Sequence, residues 1–250
     1  MDEITIKSAV KEKYASVAIS NSGCCSGGCS CGGDVDLELT QLIDYDAGGL
    51  KTIEGSDLGL GCGMPTQFAN IQPGQTILDL GSGAGIDAFL AAQKVGPSGK
   101  VIGVDMTEEM IRKAIANAEK AGISNVDFRL GEIEALPVDD NSVDLVLSNC
   151  VINLVPDKRS VFAEIHRVLK PSGKFCISDV VTYGEMPENV RKNMELWTGC
   201  MAGAMDKEEF MDLIRECGFE DLKIHNYSIY DAMKQNGFGT GSLTLEGSKQ

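Results

Sequence analysis

The chain has 250 residues, with 22 Lys and Arg against 37 Asp and Glu, a formal charge of −15. Binding to phosphate needs clustered cations, so this balance argues against a nucleic-acid partner and against an anionic membrane surface. No apolar run approaches the roughly 20 residues that span a bilayer, and Met1-Asp-Glu-Ile-Thr-Ile-Lys7 lacks the charged-then-apolar pattern of a signal peptide. A cytoplasmic chain is expected. Thiols stay reduced in that compartment, so the nine cysteines are expected to act as core, as metal or metalloid ligands, or in redox chemistry.

In chain order, residues 4–19 read as a helix of mixed polarity. Residues 20–33 are a low-complexity loop carrying Cys24, Cys25, Cys29 and Cys31, and residues 37–60 read as irregular. From Pro73-Gly74 the pattern becomes regular. Ile77–Leu80 predicts a strand, 85–95 a helix and Val101–Asp105 a second strand. Thr107 is placed to cap a helix with Met110, Ile111, Ala114, Ile115 and Ala118 at helical spacing. Strands follow at Val126–Leu130 and Val143–Leu147, a helix at 157–169 and a fifth strand at Lys174–Val181. Two helices, about 187–197 and 206–216, precede a last strand pair around 220–230. Strand and helix alternate from 75 to 181, which predicts an α/β fold with a parallel, doubly wound, Rossmann-like sheet. The ligand of such a sheet lies at the C-terminal ends of its strands. The expected division is 1–60 as an N-terminal extension with the Cys-rich loop, 61–182 as the nucleotide-type domain, and 183–250 as a C-terminal region completing the substrate site.

The loop after the first strand reads Asp79-Leu-Gly-Ser-Gly-Ala-Gly85. Glycines let a backbone turn tightly and approach a ligand. A dinucleotide site has G-x-G-x-x-G, whereas here the third glycine comes one residue early. Asp105 ends the second strand, where a carboxylate can accept both hydroxyls of a ribose. Met106 follows it, placed to lie against a base.

These features resemble the S-adenosylmethionine-binding motifs of class I methyltransferases. The likeness rests on Asp79-x-Gly-x-Gly-x-Gly85, on Asp105, on Gly131-Glu-Ile-Glu-x-Leu-Pro137 and on Leu169-Lys-Pro-Ser-Gly-Lys174. The resemblance implies S-adenosylmethionine as cofactor, held by Asp79, Gly81, Ser82, Gly83, Asp105, Met106 and Ser148, with Glu132 and Ile133 near the adenine. Such a cofactor carries the hard chemistry, an electrophilic methyl group, and the protein holds an acceptor in line with it.

Carbon, nitrogen and oxygen acceptors usually need a general base. The chain has two histidines. His166 reads as a structural residue of the 157–169 helix, and His225 sits on a late strand away from the motifs. An acceptor that already owns a lone pair needs no base. Trivalent arsenic is one, and it is soft, which favours thiolate ligands. Three cysteines stand alone outside the N-terminal loop: Cys62, Cys150 and Cys200. A lone cysteine is also ordinary core filler, the reading that fits Cys176 and Cys217. Cys62 and Cys200 instead lie among small residues in loop-like segments, and Cys150 ends a strand at the cofactor edge.

The sequence resembles arsenite S-adenosylmethionine methyltransferases in Gly61-Cys62-Gly63, Asn149-Cys150-Val151 and Gly199-Cys200-Met201-Ala-Gly-Ala204. The resemblance implies Cys62, Cys150 and Cys200 as catalytic arsenic thiolates, arsenite and methylated trivalent arsenic as substrates, and a role in detoxification. It also implies a thiol reductant as co-substrate, with thioredoxin or glutathione as candidates. Some members carry an acidic residue where this chain has Gly199. Two alternatives remain at this point. One is a class I methyltransferase for a small carbon or oxygen acceptor such as a quinone. The other is a soft-metal-binding protein, which the N-terminal cysteines favour and the intact cofactor motifs oppose. The Cys62 loop precedes the first strand and is expected to be held less firmly than Cys150 and Cys200.

Overall fold

A computed structural model describes residues 2–20, 51–235 and 237–250. The cluster Cys24, Cys25, Cys29 and Cys31 lies outside the described residues. The first element is helix α1 (Glu3–Ser20), followed by the short α2 (Pro65–Phe68). The regular alternation then runs β1 (Thr76–Leu80), α3 (Ile86–Val95), β2 (Lys100–Asp105), α4 (Glu108–Ala121), β3 (Val126–Leu130) and β4 (Val143–Asn149). It continues with α5 (Lys158–Val168) and β5 (Leu169–Tyr183). After β5 come α6 (Glu188–Arg191), α7 (Met194–Thr198), α8 (Lys207–Glu216) and the hairpin β6 (Phe219–Gln235) and β7 (Phe238–Lys249).

One seven-stranded sheet results, in the order β3-β2-β1-β4-β5-β7-β6. β1 to β5 are parallel, as the alternation predicts, while β7 runs antiparallel to both β5 and β6. The pleat sends alternate residues of each strand to opposite faces. Leu78, Leu80, Ile102 and Val104 meet Val161, Phe162 and Ile165 of α5 and Phe210 and Ile214 of α8 on one face. Ile77, Val101, Leu145 and Cys176 meet Ala88, Ala91, Ala92 and Val95 of α3 on the other. Both faces are covered, which makes the sheet doubly wound. Cys176 is buried core, as expected, and Cys217 packs at its edge. His166 stands edge-on to Phe219, away from the strand ends that matter below.

The structure departs from the expected elements in three places. The helix expected over 187–197 is two short ones, because the Asn193 carboxamide takes the N–H groups of Glu195 and Leu196 and starts a new helix. The last strands reach residues 235 and 249, well beyond 230, because β7 inserts between β5 and β6 and is paired along both edges. Thr107 precedes α4, yet its side chain makes no capping bond and turns to the Asp105 carboxylate.

Candidate active site

Strand order reverses between β1 and β4, the place where open α/β sheets bind ligands. A cleft of about 1010 Å³, its open mouth included, lies at the strand ends there. Asp79, Gly81, Ser82 and Gly83 line it from the β1 loop, Asp105 and Met106 from the end of β2, and Ile133 from the turn after β3. Glu132 and Ser148 are not among its lining residues. Glu132 turns outward to Lys7 of α1 at 2.9 Å, and its neighbour Glu134 lines the cleft instead. Ser148 is fully buried within β4.

The glycine loop is set by sterics. Gly81 has φ +61°, and a Cβ there would fall 2.1 Å from Val151 Cγ2. Glycine alone meets both demands. Asp105 then fixes the loop: its carboxylate accepts the Gly83 N–H at 3.0 Å and the Thr107 N–H at 2.8 Å. Burial raises the carboxyls of Asp79 and Asp105 above their usual range, with Asp87 adding to the effect at Asp79. Burial also pushes Asp87 up to about 6, against hydrogen bonds from Asn149 and Thr66 that favour its charge. With Asp57 and Glu134, five carboxylates line one cleft. Asp79 Oδ2 and Ser82 Oγ are buried there without a hydrogen-bond partner in the protein. An unpaired buried acceptor beside further carboxylates suits a ligand that brings both a positive charge and hydrogen-bond donors.

The three isolated cysteines converge at the end of this cleft. Cys62, Cys150 and Cys200 are 9%, 8% and 4% exposed and belong to one buried cluster. Cys150 stands in the middle: its thiol lies beside that of Cys62, and its carbonyl oxygen accepts from Cys200 Sγ at 3.0 Å. It also lines the cofactor cleft. Cys150 has φ 59° and Cys200 φ 65°, left-handed conformations that a side chain seldom takes and that recur where function fixes the backbone. The Cys62 loop is tied down on three sides. Its N–H donates to Asn149 Oδ1 at 3.1 Å, its carbonyl accepts from Ser242 Oγ at 2.7 Å, and its thiol points at the Ser178 carbonyl at 3.6 Å. A loosely held Cys62 loop is therefore not what the fold builds. The reason is tertiary: Asn149 belongs to β4 and Ser242 to β7.

Burial pushes the Cys62 thiol up to about 11. At Cys150 the neighbouring Cys200 favours the thiolate, but Cys62 and burial outweigh it and leave the group well above its usual value. The neighbouring Cys150 and burial raise Cys200 likewise. All three are neutral thiols at neutral pH.

One residue beside them was not legible in the sequence. Asp179 is buried in β5 and places a carboxylate oxygen within 4.8 Å of the ligand atoms of Cys62 and Cys150. Burial pushes it up to about 6. It accepts from Asn153 Nδ2 and from the Val180 N–H, both at 2.8 Å, so it also fixes the turn after Cys150. A carboxylate inside the apolar run Phe175–Val181 was the available signal.

A methyltransferase-domain family matches residues 71–218 of the chain. An arsenite methyltransferase of Halobacterium salinarum is 46% identical over 257 aligned positions, covering 96% of this chain and 66% of that protein. The human arsenite methyltransferase is 43% identical over 170 positions, 64% of this chain and 44% of that one. A demethylmenaquinone methyltransferase of Geobacillus kaustophilus is 30% identical over 189 positions, 68% of this chain and 81% of that one. The crystal structure of an arsenic(III) S-adenosylmethionine methyltransferase from Chlamydomonas reinhardtii superposes with a TM-score of 0.68 at 34% identity, covering 83% of this chain and 71% of that one. The chain belongs to the arsenite methyltransferase family. It spans from just under half to about two thirds of the length of the curated arsenite methyltransferases it matches. In this member Gly199 closes α7, and the carboxylate beside the thiols comes from β5. No helix among the described residues is long and apolar enough to cross a membrane.

Gly203 offers a clean perturbation of this family site. A Cβ there would fall 2.0 Å from the Asn153 carbonyl oxygen, a backbone atom that cannot step aside. On the arsenic-binding role that the resemblance implies for Cys200, Gly203→Ala is expected to shift the Cys200 segment and weaken arsenite binding at least tenfold, with cofactor affinity within about threefold of wild type. Calorimetric titration with each ligand checks it. Parallel losses of both affinities would place Gly203 in the general fold.

Proposed function

We propose that this chain methylates trivalent arsenic, using S-adenosylmethionine as methyl donor and Cys62, Cys150 and Cys200 as the thiols that hold the substrate. The observation that carries this reading is the convergence of three buried thiols at the end of a carboxylate-lined cofactor cleft. Asp79, Ser82 and Asp105 fit the hydrogen-bonding groups of the cofactor, and Asp87 lies where a carboxylate balances its positive charge. When bound, the cofactor supplies an electrophilic methyl group for the lone pair of arsenic.

The thiols capture arsenite without net proton release. Each gives its proton to a hydroxyl of arsenite, which leaves as water while an arsenic–sulfur bond forms. Neutral thiols are the form this exchange uses, so their raised pKa values are no obstacle. Methyl addition at the lone pair oxidises arsenic by two electrons, and a thiol reductant restores the trivalent state. Thioredoxin and glutathione are candidates for that part, and a cytoplasmic setting supplies both. Methylation of a quinone-like carbon or oxygen would leave the three thiols without a task.

The deciding experiment mixes the protein with methyl-labelled S-adenosylmethionine, arsenite and a thiol reductant, and separates the arsenic species. Labelled methylarsenic is expected. Label appearing only in a quinol supplied in place of arsenite would reject the reading in favour of its runner-up.

A pH dependence follows from Asp87. Its carboxyl, pushed up to about 6 by burial, must be ionised to face a sulfonium. Protonation removes that attraction, so S-adenosylmethionine affinity is expected to fall as pH drops through about 6. S-adenosylhomocysteine has no sulfonium charge, and its affinity should change less. Identical pH profiles for the two ligands would take Asp87 out of the cofactor's surroundings.

A further inference from the structure

Helix α1 precedes the whole sheet in sequence, yet it lies across both halves of the site. Lys7 pairs with Glu134, which lines the cofactor cleft, at 2.8 Å. Two turns further on, Tyr14 also lines the cleft, and its ring packs against the cluster that holds the three thiols. Its hydroxyl lies near the Cys200 sulfur and favours the charged form of that thiol.

The hydrogen-bond partner of that sulfur is a carbonyl. Cys200 Sγ donates to the Cys150 carbonyl oxygen at 3.0 Å. That bond exists only while Cys200 keeps its proton. On the reading above, arsenite takes that proton away as water. The sulfur, now bonded to arsenic, keeps its lone pairs but has no proton, and it faces a carbonyl oxygen at close range, which is repulsive. Such a sulfur needs a donor, and a phenol is one. The Lys158 ammonium senses the same sulfur only through its charge, and it donates one of its hydrogens to the Val155 carbonyl at 3.1 Å.

We propose that Tyr14 is a positioning residue of the arsenic site: its hydroxyl takes over from the Cys150 carbonyl as the hydrogen-bond partner of Cys200 when that sulfur binds arsenic. The inference rests on the arsenic-binding reading of the three thiols. It assigns α1 a part in substrate capture, besides covering the cofactor.

The test is X-ray absorption at the arsenic edge on the full chain, with Cys24, Cys25, Cys29, Cys31 and the half-buried Cys217 changed to serine, which leaves the core Cys176 as the one thiol outside the site. One equivalent of arsenite is added to this protein, to the same protein with Tyr14→Phe, and to the same protein with Val17→Ala. The last variant trims the packing of α1 and leaves the hydroxyl in place. The parent should show three sulfurs, Tyr14→Phe two sulfurs and one oxygen, and Val17→Ala three sulfurs. Loss of one hydrogen bond should weaken arsenite binding by Tyr14→Phe roughly tenfold. Its S-adenosylmethionine affinity, measured by calorimetry, should stay within about threefold because the ring remains in place. Three sulfurs in Tyr14→Phe would overturn the role of the hydroxyl. So would two sulfurs in Val17→Ala, since the loss would then report only a loosened helix. A parent protein with an oxygen shell around arsenic would overturn the arsenic-site reading itself, and the Tyr14 inference with it.

Discussion

Cys150→Ser is expected to lose activity on arsenite and on trivalent methylarsenic alike, by about a hundredfold or more in each case, because a hydroxyl is a poor ligand for a soft centre. Cys150 is the thiol between the other two, and it is the one that lines the cofactor cleft. Removing it separates Cys62 from Cys200 and takes away the ligand nearest the donor. Cys62→Ser should behave differently. Arsenite offers three exchangeable positions and uses three thiols. After one methyl is added and the arsenic is again trivalent, one position is carbon, and two thiols suffice. Cys150 and Cys200 form that pair. They are linked by the Cys200 bond to the Cys150 carbonyl, and both are aimed by left-handed backbone. Cys62→Ser is therefore expected to lose arsenite methylation and to keep methylation of trivalent methylarsenic. A product assay on each variant with each substrate reads this directly. Equal loss of both activities in Cys62→Ser, with cofactor binding intact, would show that the second methylation also needs three sulfurs.

Asp105→Ala should weaken S-adenosylmethionine binding by roughly 10- to 150-fold, the equivalent of about 1.5–3 kcal/mol for a charge-assisted hydrogen bond. The carboxylate has two tasks. It faces the cleft, and it holds the Gly83 and Thr107 N–H groups that give the glycine loop its shape. Asp105→Asn separates them, since an amide oxygen still accepts one of those bonds and should recover part of the affinity. Arsenite binding should be unchanged in both variants, because Asp105 belongs to the cofactor half of the site. Calorimetry showing wild-type cofactor affinity in Asp105→Ala would remove the residue from the site.

Much of the fold was legible because its signals are local. The alternation of apolar strands with amphipathic helices from 75 to 181 depends on neighbours a few residues apart. So do the glycines after β1, whose need for a left-handed turn is written into the residue type. The parallel core, its doubly wound faces and the cleft at the strand ends follow from that pattern. The positions of the three thiols were legible in a weaker sense: the sequence singled out Cys62, Cys150 and Cys200 but carried no distance between them.

The tertiary structure decided what depends on contacts between distant residues. Insertion of β7 between β5 and β6 set the length of the last strands and brought Ser242 to the Cys62 carbonyl. A carboxylate in the middle of β5 reads in sequence as an oddity, and only pairing with β4 puts Asp179 beside two thiols. Glu132 and Glu134 cannot be told apart by motif; Lys7 pairs with both, and the folded course of the turn after β3 leaves Glu134 at the cleft. Helix α1 read as an extension before residue 61. Its place over the cleft and the thiols comes from burying Ile6 and Val10 against groups that lie far along the chain, and no periodicity within the helix encodes which groups those are.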